Sequence, residues 1–520
     1  MSSAISEQHG AASEDISDTQ AAWSAELNAA CQSLQTEPAD LEPLLVPLQE
    51  KRIPRQQVFP LLRQSWLRLK QLRDRQAQLT VLAENDTETM RFIEQGFSAL
   101  QPGENFSLDD GRQAFEQASR RSPETGSSPE LAAGLQSVQA AIAAINLDYR
   151  RAVERYAQAA STPGLSAALQ WQYHAHQAMA LQDLGREFMD DAALEEAISL
   201  YETRMSTLAP RAEKPVEWAA TQHDLGNALG MLGQRQGGTW MLEKAIEAFE
   251  AALSERSRDR GPRDWAATRN SLGNTLGILA QRHADTDMLK QSINAFESAL
   301  EEYTREQSPQ DWAATQNNLA AALLSLGQSK KDKALVGKAV DAYKNVLQVW
   351  TRERAPLDWA ATMNNLGTVL RMLGEYRKGP KTLEQSIAAY RNALAERTRE
   401  RAPQDWAMTQ NNLGAALYKL GERKDDPQLL EASIAAYENA LEEWGHDQLP
   451  MTWAMTMANL GAARKALAEQ LNDVDLARAA LSEFEAVADA FRNASHAHYY
   501  ELATEQVAKT RELERKLVLG

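Results

Sequence analysis

Asparagine recurs at constant separation along this chain, at Asn270, Asn317, Asn364 and Asn411, each 47 residues after the last. An amide side chain offers a donor and an acceptor at once, which suits it to pair with a polypeptide main chain whatever side chains that main chain carries. Nothing comparable points to bond-breaking chemistry. The eight histidines contain no His-Glu-x-x-His, and His174/His176 and His496/His498 stand two apart, so on a helix they diverge and cannot share a metal. The chain has no Gly-x-x-x-x-Gly-Lys-Ser/Thr phosphate loop, no Gly-x-Ser-x-Gly turn and no dinucleotide fingerprint. Its acidic pairs lie in helical charge patterns that read as solvated faces. We therefore expect a non-enzymatic protein with no cofactor and no metal.

Charge and cysteine content narrow the partners. Asp+Glu outnumber Lys+Arg by 72 to 55, a formal net charge of −17, which disfavours a phosphate-binding surface and hence nucleic acid. The single Cys31 excludes an internal disulfide and a cysteine-based zinc site. The polar N-terminus lacks an apolar leader segment, and no apolar run of the ~18 residues needed to span a bilayer is present. A cytoplasmic location is the expectation.

The elements that position the asparagines are marked by tryptophan. Trp171, Trp218, Trp265, Trp312, Trp359, Trp406 and Trp453 are spaced by 47 throughout. A fixed period of ~20–50 residues signals a repeat array. Each unit reads as two helices. Pro sits three residues before the Trp (Pro215, Pro262, Pro309, Pro356, Pro403, Pro450), and an acid usually precedes it directly, so Asp264, Asp311, Asp358 and Asp405 are expected to cap the first helix. Gly at +15 from the Trp (Gly233, Gly327, Gly374, Gly421) is expected to end it in a left-handed turn. The second helix carries an aromatic column at Phe249, Phe296, Tyr343, Tyr390, Tyr437 and Phe484.

On a first helix numbered from its Trp and stepped by about 100° per residue, Trp and the Leu at +7, +11 and +14 form one core stripe. Positions +2, +5, +9 and +12 fall opposite. That face carries almost no charge: Ala or Met408 at +2, His223 and the four asparagines at +5, Asn227 and Asn274 at +9, and Leu324, Arg371 and Tyr418 at +12. Asparagine is a mediocre helix former, so its recurrence needs a cause. Two causes stay open: a ladder for the main chain of a bound peptide, with +12 selecting its side chains, or bonds between neighbouring first helices.

The series Leu225-Gly226…Ala245…Phe249…Ala252…Pro262, with Trp218 before it, resembles the tetratricopeptide repeat. The 47-residue period exceeds that family's ~34. The Thr-x-x-Asn-Leu-Gly/Ala block is similar to the longer repeats of kinesin light chains and related bacterial arrays. The resemblance implies an all-α fold, an α-solenoid of helix-turn-helix pairs wound into a right-handed superhelix. It also implies that first helices line a concave groove. A peptide or helix of a partner protein would lie there against His223, Asn227, Asn270, Asn274, Asn317, Leu324, Asn364, Arg371, Met408, Asn411 and Tyr418. A scaffold or adaptor is the expected function, with a ligand-responsive regulatory sensor as the alternative.

Outside the array we expect a disordered segment over residues 1–20, a helical segment over 21–85, divergent helical pairs over 86–165, seven repeats over 166–492, and a capping helix over 493–520. Residues 51–75 hold eight basic side chains against one acid, Asp74. Leu62, Trp66, Leu69 and Leu72 at helical spacing make this a basic amphipathic helix. It either packs on neighbouring helices or reaches a membrane surface. Arg211, Arg258, Arg305, Arg352 and Arg399 form a further column seven before the Trp, suited to helix C-termini or to an anion.

Overall fold

The computed structural model describes residues 23–519 except 25, 104, 122–125, 447–448 and 495. The expected disorder over 1–20 lies outside these. Among the described residues there is helix and no strand. The chain divides into two compact bodies, one up to Thr315 and one from Gln316, with the division inside helix Pro309–Lys330.

The N-terminal body has a helical stretch over 26–34, then Pro38–Glu50, Arg55–Arg73 and Gln76–Leu82. Two irregular pairs follow, Thr87–Ala99 with Leu108–Arg121 and Pro129–Ile145 with Tyr149–Ala160. Then come three repeats. Ala167–Phe188 pairs with Asp191–Leu200, which continues through a π-helical turn at Tyr201–Met205. Pro215–Arg235 pairs with Trp240–Glu255, and Pro262–His283 with Thr286–Leu300. In the C-terminal body the second helix Lys333–Val346 is followed by Pro356–Tyr376 with Lys381–Leu394 and Pro403–Lys424 with Pro427–Glu443. Pro450–Leu471 with Val474–Asn493 and the last helix, Ala497–Leu519, complete it.

Five of the seven Trp-marked hairpins close around one glycine and one ring, at Gly226, Gly273, Gly367, Gly414 and Gly461. A Cβ on Gly226, Gly367 or Gly414 would meet the ring of Phe249, Tyr390 or Tyr437 at 2.7, 2.7 and 2.9 Å. The glycine therefore lets the aromatic lie flat on the backbone of its own first helix. Ser386 and Ser433 reinforce the contact, donating to the carbonyls of Gly367 and Gly414 at 2.7 and 2.8 Å. The irregular pair Thr87–Ala99/Leu108–Arg121 repeats the device, with Phe115 against Gly96.

Helix ends differ from the sequence expectation. First helices run past the +15 glycine, and the left-handed residue comes later, at Met189, Ala284, Lys331, Asp425 and Asn472. The +15 glycine serves close approach instead: a Cβ on Gly374 or Gly421 would meet Leu383 or Leu430 at 2.8 and 2.9 Å. The acids before Trp are not caps. Pro occupies the first turn, and Asp264, Asp358 and Asp405 stand inside it, where they face the positive end of the helix dipole. The capping aspartates belong to second helices, where Asp190, Asp285, Asp332, Asp426 and Asp473 accept main-chain N–H groups.

Candidate interaction face

The core stripe is broader than the simple wheel, and its leucines at +7, +11 and +14 are buried as expected, as Leu225, Leu229 and Leu232 show. Ala at +1 and Thr at +3 are buried in the repeats from Trp218 onward, whereas the tryptophans are half-buried. Each +3 hydroxyl donates to the carbonyl four residues back, as Thr268 does to Asp264 at 2.8 Å and Thr409 to Asp405 at 2.7 Å. It also accepts from its surroundings: Trp171 Nε1 donates to Thr221 at 3.0 Å and Arg256 donates to Thr268 at 2.7 Å. Cross-repeat contacts of His223 with Thr268 and of Asn364 with Asn412 place +5 side chains at the seam between adjacent first helices.

In the N-terminal body, Asn227 donates to His223 Nε2 at 3.1 Å, and His223 Nδ1 lies 3.2 Å from Thr268 Oγ1. Thr268 already donates to Asp264, so the proton of this contact sits on His223 Nδ1 and the ring is neutral. Burial, helped by Arg256, pushes the His223 pKa down to about 3. Asn227 and Asn274 share a hollow of about 230 Å³ with Gly230, Met231 and Gln182. Asn270 is half-buried and its Oδ1 has no donor. The neighbouring Asp224 is pushed up to about 6 by burial against the pull of Arg256.

In the C-terminal body the column is mixed. Asn364 is buried, only 3% exposed, and accepts from Asn412 Nδ2 at 3.1 Å while donating to Asn365 at 3.3 Å. It is a seam residue. Asn317 is half-buried and makes only a long 3.5 Å contact to Asn318. Asn411 is half-buried with an orphan Oδ1. At +12, Leu324 is half-buried, Arg371 pairs with Glu375, and Tyr418 donates to Glu422 at 2.6 Å. Met408 packs beside Ala407, Ala440 and Trp444.

The arginine column is already engaged. Arg211, Arg258, Arg352 and Arg399 lie over the rings of Trp218, Trp265, Trp359 and Trp406, with 4.8–6.0 Å to the centroids. They also pair with Glu255, Glu302, Glu396 and Glu443 at the end of the same repeat's second helix. The linker thus clasps the open end of the hairpin it enters.

The basic helix Arg55–Arg73 buries Phe59, Leu62, Trp66, Leu69 and Leu72 and lies on Pro129–Ile145, so its apolar face is not free for a membrane. Ser65 donates to the Ile145 carbonyl at 3.3 Å. Arg68 reaches the Ala144 carbonyl at 3.2 Å, Tyr149 Oη at 2.9 Å and the carboxylate of Asp183. Burial works against the Arg68 charge, but Asp183, Tyr149 and Glu187 overcome it and hold its pKa above the usual range. Asp183 and His176 occupy +12 and +5 of the Trp171 repeat. The chain's own amphipathic helix therefore packs on Pro129–Ile145 and meets +12 of the Trp171 repeat through the Arg68–Asp183 pair. Extending the Trp numbering to this repeat was the signal that could have marked both residues.

Among the described residues no group of three His, Cys, Asp or Glu side chains could hold a metal, and no helix is long and apolar enough to cross a membrane. Stacked two-helix units of this kind define an α-solenoid. The tetratricopeptide repeat profile matches residues 406–443, one complete hairpin, and its columns recur in the other units. The chain thus carries a tetratricopeptide repeat over these residues. Among solved structures it is similar to the C-terminal part of a TPR repeat-containing protein from Cytophaga hutchinsonii, at 15% identity and TM-score 0.36 over 58% of this chain and 93% of that one. It is also similar to the apo form of RapI, at 13% identity and TM-score 0.42 over 82% and 98%. The TPR2AB domain of yeast Sti1, in complex with pHSP90, matches at 17% identity and TM-score 0.20 over 62% and 98%. No curated protein matches the sequence.

Proposed function

We propose that this protein is a non-enzymatic scaffold that holds a peptide or helical segment of another protein on the +5/+9/+12 face of its first helices. The observation that carries the reading is the helix Arg55–Arg73. It is an amphipathic segment packed on Pro129–Ile145 that reaches +12 of the Trp171 repeat, where Asp183 holds Arg68. The orphan acceptors of Asn270 and Asn411 support it, because a buried acceptor without a donor costs about 1–3 kcal/mol and a main-chain N–H would relieve that cost. Single hydrogen bonds contribute ~1 kcal/mol net, whereas a micromolar complex needs ~8 kcal/mol. Apolar contact with Met408, Leu324 and Tyr418 must supply most of the affinity, and the amides set register.

Panning the full chain against a displayed peptide library tests the reading. Selected peptides should bind wild type and lose about tenfold in affinity on Asn317→Ala/Asn411→Ala, with the melting temperature preserved. Peptides that bind this variant equally well, or a library that yields none, refute the proposal.

A further inference from the structure

Where the helix Arg55–Arg73 parts from the first helix of the Trp171 repeat, a cleft of about 410 Å³ opens. Its floor is Ala141, Ala144 and Ala180, and its walls include Arg75, Tyr156 and His176. A smaller hollow of about 130 Å³ continues from it past the same Arg75 and His176 to Leu79 and Tyr173. The volume falls in the lower part of the range of about 300–1,000 Å³ usual for small-molecule sites. Three alanines at the floor leave room that one larger side chain would fill.

The polar groups of the cleft are of two kinds. Arg68 is satisfied by Asp183, Tyr149 and the Ala144 carbonyl, so it has little left to offer. Arg75 is half-buried and bonded only to Ser137 Oγ, at 2.7 Å through one guanidinium nitrogen. No described carboxylate pairs with it. His176 Nδ1 is buried without a hydrogen-bond partner, and its ring stands 5.3 Å from that of Tyr156. Burial, with Arg75 adding to it, pushes the His176 pKa down to about 4, so the ring is neutral at pH 7.

We infer that this cleft binds a small organic monocarboxylate with a flat apolar body. One unpaired guanidinium matches one negative charge, and its planar fork fits a carboxylate through two parallel bonds. Neutral His176 supplies a further polar contact beside the fork. The ligand body lies between the Tyr156 ring and the alanine floor. A dianionic phosphate would bring a second charge for which the cleft has no free cation.

Calorimetric titration of the full chain with phenylacetate and indole-3-acetate, alongside phenylacetamide, indole-3-acetamide and inorganic phosphate, tests this. The carboxylates should bind saturably, and the amides and phosphate at least about tenfold more weakly. Arg75→Gln should abolish the preference for carboxylate over amide, Arg75→Lys should retain part of it, and Ala141→Leu should block all the aromatic probes. Melting of each unliganded variant reports its folding, so a misfolded Arg75→Gln leaves the decision to Arg75→Lys and to the amide comparison in wild type. Equal binding of acids and amides, preference for phosphate, or no saturable heat from either carboxylate overturns the inference.

Discussion

Helix Pro129–Ile145 and helix Pro403–Lys424 occupy the same place in their hairpins, yet their outer faces differ. In the first, Leu135, Val138, Ala141, Ile142 and Ile145 are all buried, because Arg55–Arg73 covers the side that its own partner helix leaves free. In the second, the corresponding side carries half-buried Met408, Asn411 and Tyr418 and no covering helix. The covered helix is largely aliphatic there, with buried Ser137 as a polar exception that takes a bond from Arg75. A face that is neither aliphatic nor charged suits intermittent cover, since it must tolerate water as well as a partner.

The comparison breaks most readily at Arg68. Arg68→Ala leaves Asp183 and Glu187 with less counter-charge in a buried setting and should cost about 3 kcal/mol. Hydrogen exchange should speed up in Arg55–Arg73 and Pro129–Ile145; unchanged protection would mean that the helix is held by its apolar face alone. Next comes the interior, which the two regions share. Gly96→Ala and Gly414→Ala each push a Cβ into a ring, Phe115 or Tyr437, and should each cost about 1–3 kcal/mol by denaturant unfolding. A large effect at one site only would show that the irregular pairs are packed on a different plan.

Asp224 sharpens the account of the open face. Its folded-state pKa is raised to about 6, so the folded protein holds a proton that the unfolded chain releases near pH 4. Its contribution therefore falls as pH rises from about 4 to 6. Asp224→Asn should raise stability by up to about 3 kcal/mol at pH 7.5 and by nothing at pH 3.5, as thermal melts at both would show. His223 works in the opposite sense: with its pKa lowered to about 3, its contribution is lost as pH falls from 6.5 toward 3. The smallest effect belongs to the clasps. Arg352→Gln, at an exposed guanidinium, should cost under about 1 kcal/mol, and the loss should shrink in high salt.

The repeat was legible because it depends on residues whose rarity and period are visible in one dimension. Seven tryptophans at one spacing, and an aromatic column behind them, specify stacked hairpins, in five of which the ring meets a glycine of the same unit. Helix ends were less legible, because Gly at +15 suits a left-handed turn and a close approach equally well, and the packing of Leu383 or Leu430 decides between them. The breadth of the core stripe follows from the buried +1 alanines and +3 threonines, which a wheel centred on tryptophan leaves out. Least legible was the covering helix. Its key contact joins Arg68 to Asp183, 115 positions apart in the sequence, and no local pattern links the two.

The arginine clasps carry a consequence for how such a chain can change length over evolutionary time. Each clasp takes its cation, its indole and its carboxylate from a single 47-residue window, as Arg399, Trp406 and Glu443 do. Recombination that deletes or duplicates one such window would therefore rejoin the chain with every remaining clasp whole. The clasps thus place no limit on repeat number, which is left to contacts that cross the seam, such as Asn412 to Asn364.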